Sequence, residues 1–441
     1  MRWSYGTCEL VVWMWLLSLV LSVGMRAQQQ QQLSRYNQDL ILSMLHDVNE
    51  AVKKNYYDKG FRGLDWEANY KEHVERAKRA ASVGDGFIII AGMLERLNDS
   101  HTFLIPPPRP YRFDSGFRIQ MIGDRAYIQR VRPGTDADSK LHPGDEVLSF
   151  NKYSVNREDL WKLEYTLNGL FPLKSVTLGV RGPDGSTREV TVNIQMVQGK
   201  RLMDLTKEDE IWQAIRETQR DEEEWSRHIE VQDTVIWKVS EFTGNEDEVD
   251  HLWGSARKHK AVIVDLRGNG GGLVTTLERM VGNAFEHDVT IAERKMRKEG
   301  KPLTAKGRGD KAYPGKVIVL IDSKSASASE LFARVMQLER RGTVIGDRSE
   351  GAVMEARPVP LSEGIDTKVF FACSITDADL IMKDGKSLEG NGVVPDEVVL
   401  PSAQDLADGK DPALTRALEL VGISMDAVSA GKLLPFKWRP L

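Results

Sequence analysis

Two cysteines in 441 residues, Cys8 and Cys373, leave little room for disulfide or thiolate-metal chemistry. Cys8 precedes the one long apolar run. Loss of that run as a leader would leave Cys373 alone, with no internal disulfide and no paired-cysteine metal site. A basic surplus is missing too: 60 Lys and Arg stand against 65 Asp and Glu, a formal net charge of −5. That balance removes the electrostatic footprint that a nucleic-acid partner demands. No apolar run after residue 23 is long enough to cross a membrane. His251 and His259 lie eight apart on a helix-like stretch without a cysteine companion, so neither a metal nor any cofactor is expected.

What is present begins with Arg2 and the run LVVWMWLLSLVLSV at 10–23, followed by Gly24, Arg26 and five glutamines at 28–32. This has the shape of a secretory signal peptide over 1–27, with an uncleaved membrane anchor as the alternative, and a low-complexity leader after it. Export to a periplasmic or extracellular location follows. From 33 to 107 apolar residues recur at three- and four-residue spacings until IPPPRP stops any helix, which predicts a helical N-terminal domain. Short alternating strands with Gly, Pro and Asp turns fill 108–198. A charged, helix-prone connector covers 199–228, and strand-like and helix-like segments then alternate over 229–402, the pattern of a layered α/β domain. Residues 403–441 are assigned to a C-terminal tail.

Two stretches of that α/β region carry chemistry. SKSASASELFARVMQ at 323–337 sets Ser325, Ser327 and Ser329 on alternate positions at the mouth of a helix. Ser327 with Glu330 has the spacing of a capping box. The same strand-turn-helix setting also displays nucleophiles, with helix N–H groups nearby to receive an oxyanion. Taken alone the stretch does not choose. VDLRGNGGGL at 264–273 places four glycines within five positions after an apolar strand. It has neither the Gly-Lys-Ser/Thr ending of a phosphate loop nor dinucleotide spacing, which leaves the use of such a turn in freeing backbone N–H groups for a tetrahedral intermediate.

With LNDSHTFL at 97–104, PGTDADSKLHPGDEVLSFN at 133–151, DLRGNGGG, SASASELFARVMQ, GDRSEGAV and LEGNGVVPDEVV in this order, the chain resembles the C-terminal processing, or tail-specific, serine protease family. The resemblance implies a multidomain α+β protein. Its parts would be the helical N-terminal domain, a PDZ-like β-domain at 108–198 and a crotonase-like layered α/β protease core. It implies Ser327 as nucleophile and the amides of Ala328 and of Gly271 or Gly272 as oxyanion hole. In the PDZ-like unit, Gly116 and Phe117 would lie near the loop that holds a peptide carboxylate. A plain β spacer is the alternative reading of that unit.

The resemblance also exposes a gap. The lysine that deprotonates the serine in the best-known branch is replaced here by Ala352, and Leu338 replaces an aspartate. The tricorn-like branch uses a histidine preceded by serine and a late glutamate, which correspond to His101, Ser100 and Glu389. A histidine near its ordinary pKa of about 6.5 would give activity rising through that pH. Lys368, Lys383 and Lys386 are the substitute lysines. The expected function is an exported serine endopeptidase acting on polypeptides, with the C-terminal tail as a candidate part of the substrate. The competing readings are an inactive scaffold that binds protein tails and a hydrolase of non-peptide acyl compounds.

Overall fold

The computed structural model describes residues 33–198, 204–219, 224–364 and 368–439. The expected signal segment at 1–27, the glutamine leader and part of the connector lie outside the described residues.

A six-stranded sheet organises the C-terminal half, in the order Ser226–Val231, Thr234–Val239, Ala261–Asp265, Lys316–Ile321, Gly342–Gly346 and Glu397–Val398. All neighbours are parallel except the first pair. Side chains alternate across a strand. Thus Val235, Trp237, Val262, Val264, Val317 and Val319 face one core, where the helices Glu246–Ala256, Val274–Asn283 and Ala328–Leu338 pack. Ile236, Ile263, Ile318 and Leu320 face the other way, onto Ala413, Leu414, Ala417 and Leu418 of the helix Pro412–Leu420. A parallel sheet must be covered on both faces. The segment expected as a tail therefore supplies one of the two covering layers, and it holds three helices, Ala403–Ala407, Pro412–Leu420 and Ala427–Gly431.

The N-terminal helices Arg35–Asn55, Trp66–Ala77 and Val83–Glu95 form as the periodicity predicts, each started by a side-chain cap from Ser34, Asp65 or Ser82. They are not self-contained. Ile41, Met44, Leu45, Val48 and Val52 share a core with Met354, Phe371, Cys373 and Ile375 of a second sheet. In that sheet the strand Phe103–Ile105 runs antiparallel to Val369–Ile381, with Phe103 opposite Ser374. The helical segment is thereby fixed to the α/β region.

A separate antiparallel sheet over Phe117–Asn193 closes around Phe117, Ile119, Ile128, Val147, Val176 and Leu178. This β-domain sits on loops that leave the parallel strands. Gln120 Nε2 donates to Asp322 Oδ2 at 2.6 Å, and the Ser323 hydroxyl donates to the Met121 carbonyl at 2.6 Å. Arg157 reaches Asp347 at 2.7 Å. Of the connector, 208–219 is helical and 226–231 is already the edge strand of the large sheet, so its C-terminal end belongs to the core.

Candidate active site

The loops at the C-terminal ends of the parallel strands converge, where open α/β sheets place their ligands. Asp322, just past Lys316–Ile321, accepts the Gly268 amide at 2.8 Å, and the Ala326 amide donates to the Asn269 carbonyl at 2.9 Å. The flanking serines of the triplet complete the seam. Ser325 Oγ donates to the Leu266 carbonyl and Ser329 Oγ to the Asn269 carbonyl, both at 2.9 Å, and both serines are fully buried. Ser327 between them is only half-buried. Its backbone, at φ 54° and ψ −116°, is a left-handed conformation that a non-glycine residue holds at a cost of about 1–3 kcal/mol. Such strain is the mark of a strand-to-helix turn that pushes a hydroxyl outward.

Glu330 does reach back to the Ser327 amide, at 3.0 Å, as the capping spacing anticipates. Its fully buried carboxylate also accepts the amides of Gly351 (2.8 Å) and Ala352 (3.0 Å) and the Ser349 hydroxyl (2.5 Å). Burial pushes its carboxyl up to about 8, against the pull of those donors. The Ser327–Glu330 pair therefore fixes the turn to the loop carrying Ala352.

The two glycines divide their work. The Gly271 amide is taken by Asn269 Oδ1 at 2.8 Å, so of the alternatives Gly271 and Gly272 the first is not an oxyanion donor. Gly271 serves by size: at φ 102°, a Cβ there would lie 2.7 Å from Ser327 Cβ and 3.2 Å from the Ala328 nitrogen. The Gly271 carbonyl and the Leu273 amide bond to Phe242, at 2.8 and 2.7 Å, with Gly272, an exposed residue, between them. Ala328 opens the helix, where first-turn amides lack intrahelical partners.

Ser100, His101 and Glu389 come together from opposite ends of the chain. His101 Nδ1 lies 2.7 Å from Ser100 Oγ; Ser100 Oγ donates to Glu389 Oε2 at 2.9 Å, and the Ser100 amide to Oε1 at 2.7 Å. This order fixes the tautomer by hydrogen-bond logic: Nδ1–H donates to Ser100, leaving Nε2 as a lone-pair acceptor. Asp99, which the sequence reading passed over, holds the turn. Its carboxylate accepts the amides of His101 (3.0 Å) and Thr102 (2.8 Å) and the hydroxyl of Thr376 (2.7 Å). An Asp two residues before a histidine is a turn signal that could have been read from the sequence.

One peptide unit joins this chain of bonds to the serine turn. The Ala352 carbonyl accepts the Ser327 amide at 2.9 Å, and the Val353 N–H of the same peptide donates to Glu389 Oε2 at 2.8 Å. Burial lowers His101 to about 4, opposed by Asp99, so the expected titration near 6.5 is displaced downward. Burial raises Glu389 to about 7, against the Val353 and Ser100 donors. The substitute lysines are elsewhere in character: Lys368, Lys383 and Lys386 are exposed, and Lys383 pairs with Glu339 at 2.8 Å. Gly116 donates its amide to Asp114 Oδ1 at 2.7 Å, and Phe117 is paired with Val131 in the β-domain. Among the described residues no cluster of metal-ligating side chains occurs, and no helix is long and apolar enough to cross a membrane.

Residues 234–399 match peptidase family S41, and residues 41–95 match the tricorn protease C1 domain. The tail-specific protease of Haemophilus influenzae is 25% identical over 320 residues, covering 68% of this chain and 43% of the relative. The carboxy-terminal processing protease CtpB of Bacillus subtilis is 28% identical over 317 residues, covering 68% of this chain and 60% of the relative. The chain thus spans about two-fifths to three-fifths of these relatives' length. The crystal structure of mature CPAF shares the fold, with a TM-score of 0.62 at 15% identity over 84% of this chain and 94% of that one. Residues 234–399 are thereby identified as a peptidase family S41 domain, in a chain similar to proteins named tail-specific protease and carboxy-terminal processing protease.

Proposed function

We propose that the chain is an exported serine endopeptidase that cleaves polypeptides through an acyl-enzyme on Ser327, with His101 as general base. The carrying observation is the hydrogen-bonded series Glu389–Ser100–His101, tied to the serine turn through the Ala352–Val353 peptide. In this reading Ser327 Oγ attacks the scissile carbonyl carbon while His101 Nε2 takes the hydroxyl proton. The tetrahedral oxyanion is received by the amides of Gly272 and Ala328, each such donor contributing about 3 kcal/mol. His101 then passes the proton to the departing amine, and the same nitrogen activates water for deacylation. Glu389, acting through Ser100, orients the ring and stabilises the imidazolium.

Ala352 cannot accept a proton, and the hydrogen-bonded His101 supplies the acceptor in its place, which is why an inactive scaffold is the weaker reading. We assign the β-domain a PDZ-like role, binding an extended substrate segment as an added strand near Gly116 and Phe117. Support comes from its antiparallel strands and from its seat on the Asp322–Ser323 turn that leads to Ser327. Export is inferred from the apolar run at 10–23.

The test is Ser327→Ala. Labelling by a fluorophosphonate and cleavage of unfolded casein should both vanish while circular dichroism stays unchanged. Retained labelling would remove Ser327 from the mechanism.

A further inference from the structure

The end of the described chain crosses from the α/β core to the β-domain. On the core side, Arg227 donates to the Pro435 carbonyl at 2.8 Å and Lys437 pairs with Glu224 at 3.3 Å. On the β-domain side, Arg130 lies 4.3 Å from the centroid of the Phe436 ring, and Arg132 and Arg118 lie 4.4 and 5.2 Å from that of Trp438. The two rings meet edge to face at 5.1 Å, and Arg132 donates to the Arg439 carbonyl at 2.9 Å.

The β-domain surface beneath this strap is unusual in charge. Arg118 and Arg130 are direct partners across the strand pair Phe117–Ile122 and Arg125–Val131. Like charges in that position repel. Arg132 follows two residues after Arg130, and its paired carboxylate is Asp114 at 3.0 Å. Aromatic ring faces are electron-rich and offset such a cluster. The cluster also adjoins the turn that opens the strand, because the Arg132 amide donates to the Gly116 carbonyl at 2.7 Å.

We propose that residues 435–439 are a built-in occupant of this arginine face, which an incoming polypeptide with aromatic side chains must displace. The inference rests on the peptide-binding role given to the β-domain above, but not on the catalytic one. While seated, the strap ties the β-domain to the edge strand Ser226–Val231 of the core. Displacement releases that tie between the β-domain and the core.

The test uses the full chain carrying Phe436→Ala and Trp438→Ala together, with Trp438→Ala alone as a second variant. The probe is a fluorescein-labelled peptide PFKWRPL, the sequence of 435–441. An attached segment competes at an effective concentration of order 1 mM, so the probe should bind the double variant roughly tenfold or more tightly than the unsubstituted chain. The single variant should fall between them, and a peptide with both aromatics replaced by Ala should not bind. Equal affinity for substituted and unsubstituted chains, no binding to either variant, or equal binding of the alanine peptide would each overturn the proposal. Fluorophosphonate labelling of Ser327 needs only the hydroxyl site, so its persistence separates a failed strap from a failed catalytic reading.

Discussion

Replacing Glu389 by Gln keeps the shape of the side chain and removes its charge. In the natural chain the Glu389 carboxyl is raised by burial from 4.5 to about 7, and the Ser100 amide, Ser100 hydroxyl and Val353 amide donate to its oxygens. His101, lowered to about 4, is neutral through most of the working range. In the proposed mechanism the group whose ionisation would govern activity is therefore Glu389: above about 7 its anion would stabilise the imidazolium formed as Ser327 is deprotonated. We expect kcat/KM of the natural chain to rise through a pKa near 7. In Glu389→Gln that limb should disappear, leaving a rise near 4 from His101. Loss of a charge-assisted hydrogen bond, roughly 2–3 kcal/mol, should lower kcat by about 10²-fold with little change in KM. A stability signature accompanies it. The raised carboxyl favours the folded state fully below pH 4.5, and this advantage is lost as pH rises through about 7. Relative to the glutamine variant, the natural chain should lose about 3 kcal/mol of stability across that window. The assays are a fluorogenic-peptide pH profile from pH about 3.5 to 9.5 and denaturant unfolding at both ends. A variant that keeps the limb near 7, or a natural chain active only above pH about 9, would refute the reasoning and point to a lysine base.

Gly271→Ala should inactivate the enzyme by crowding rather than by removing a donor, since its Cβ would lie 2.7 Å from Ser327 Cβ at φ 102°. A stability loss of about 2 kcal/mol with fluorophosphonate labelling slowed at least ~10-fold is expected, and normal labelling would contradict it. Arg267→Met tests the base of the glycine loop, where the guanidinium bonds Asp265 at 2.8 Å and Asp411 at 2.8 Å. Removing it leaves Asp411 without its guanidinium and Asp265 with Lys238 alone, at 3.6 Å, and should cost about 3–5 kcal/mol in urea unfolding. The Asp265 carboxyl is held below its ordinary value of 3.8 despite its burial, because Arg267 and Lys238 hold it ionised. Its contribution is present above pH 3.8 and fades as pH falls, so the difference between variant and natural chain should shrink in acid.

Much of this protein could be read along the chain because it is written in local periods. The apolar strands at 261–265 and 316–321, the glycine cluster behind the first and the serine triplet behind the second are the marks of a layered α/β site in the sequence itself. The hydrogen-bond partners were a different matter. Gly271 and Gly272 are indistinguishable in sequence, yet Asn269 claims one amide and leaves the other. The folded role of 403–431 escaped notice because short helices on a covered face look like any polar tail until the second side of the sheet needs a partner.

Residue chemistry by itself determined which groups were available: a hydroxyl at 327, an imidazole at 101, a carboxylate at 389, and no amine at 352. Only the tertiary structure decided which of them are bonded into one network. Ser100 and Glu389 are separated by 289 residues, and their meeting depends on the pairing of Phe103 with Ser374, which carries the His101 turn to the core. It also depends on one peptide group, Ala352–Val353, that bonds the serine turn on one side and the glutamate on the other. Backbone N–H and C=O groups are the same at every position and leave no trace in sequence, so a site assembled through them becomes visible only when the chain is folded.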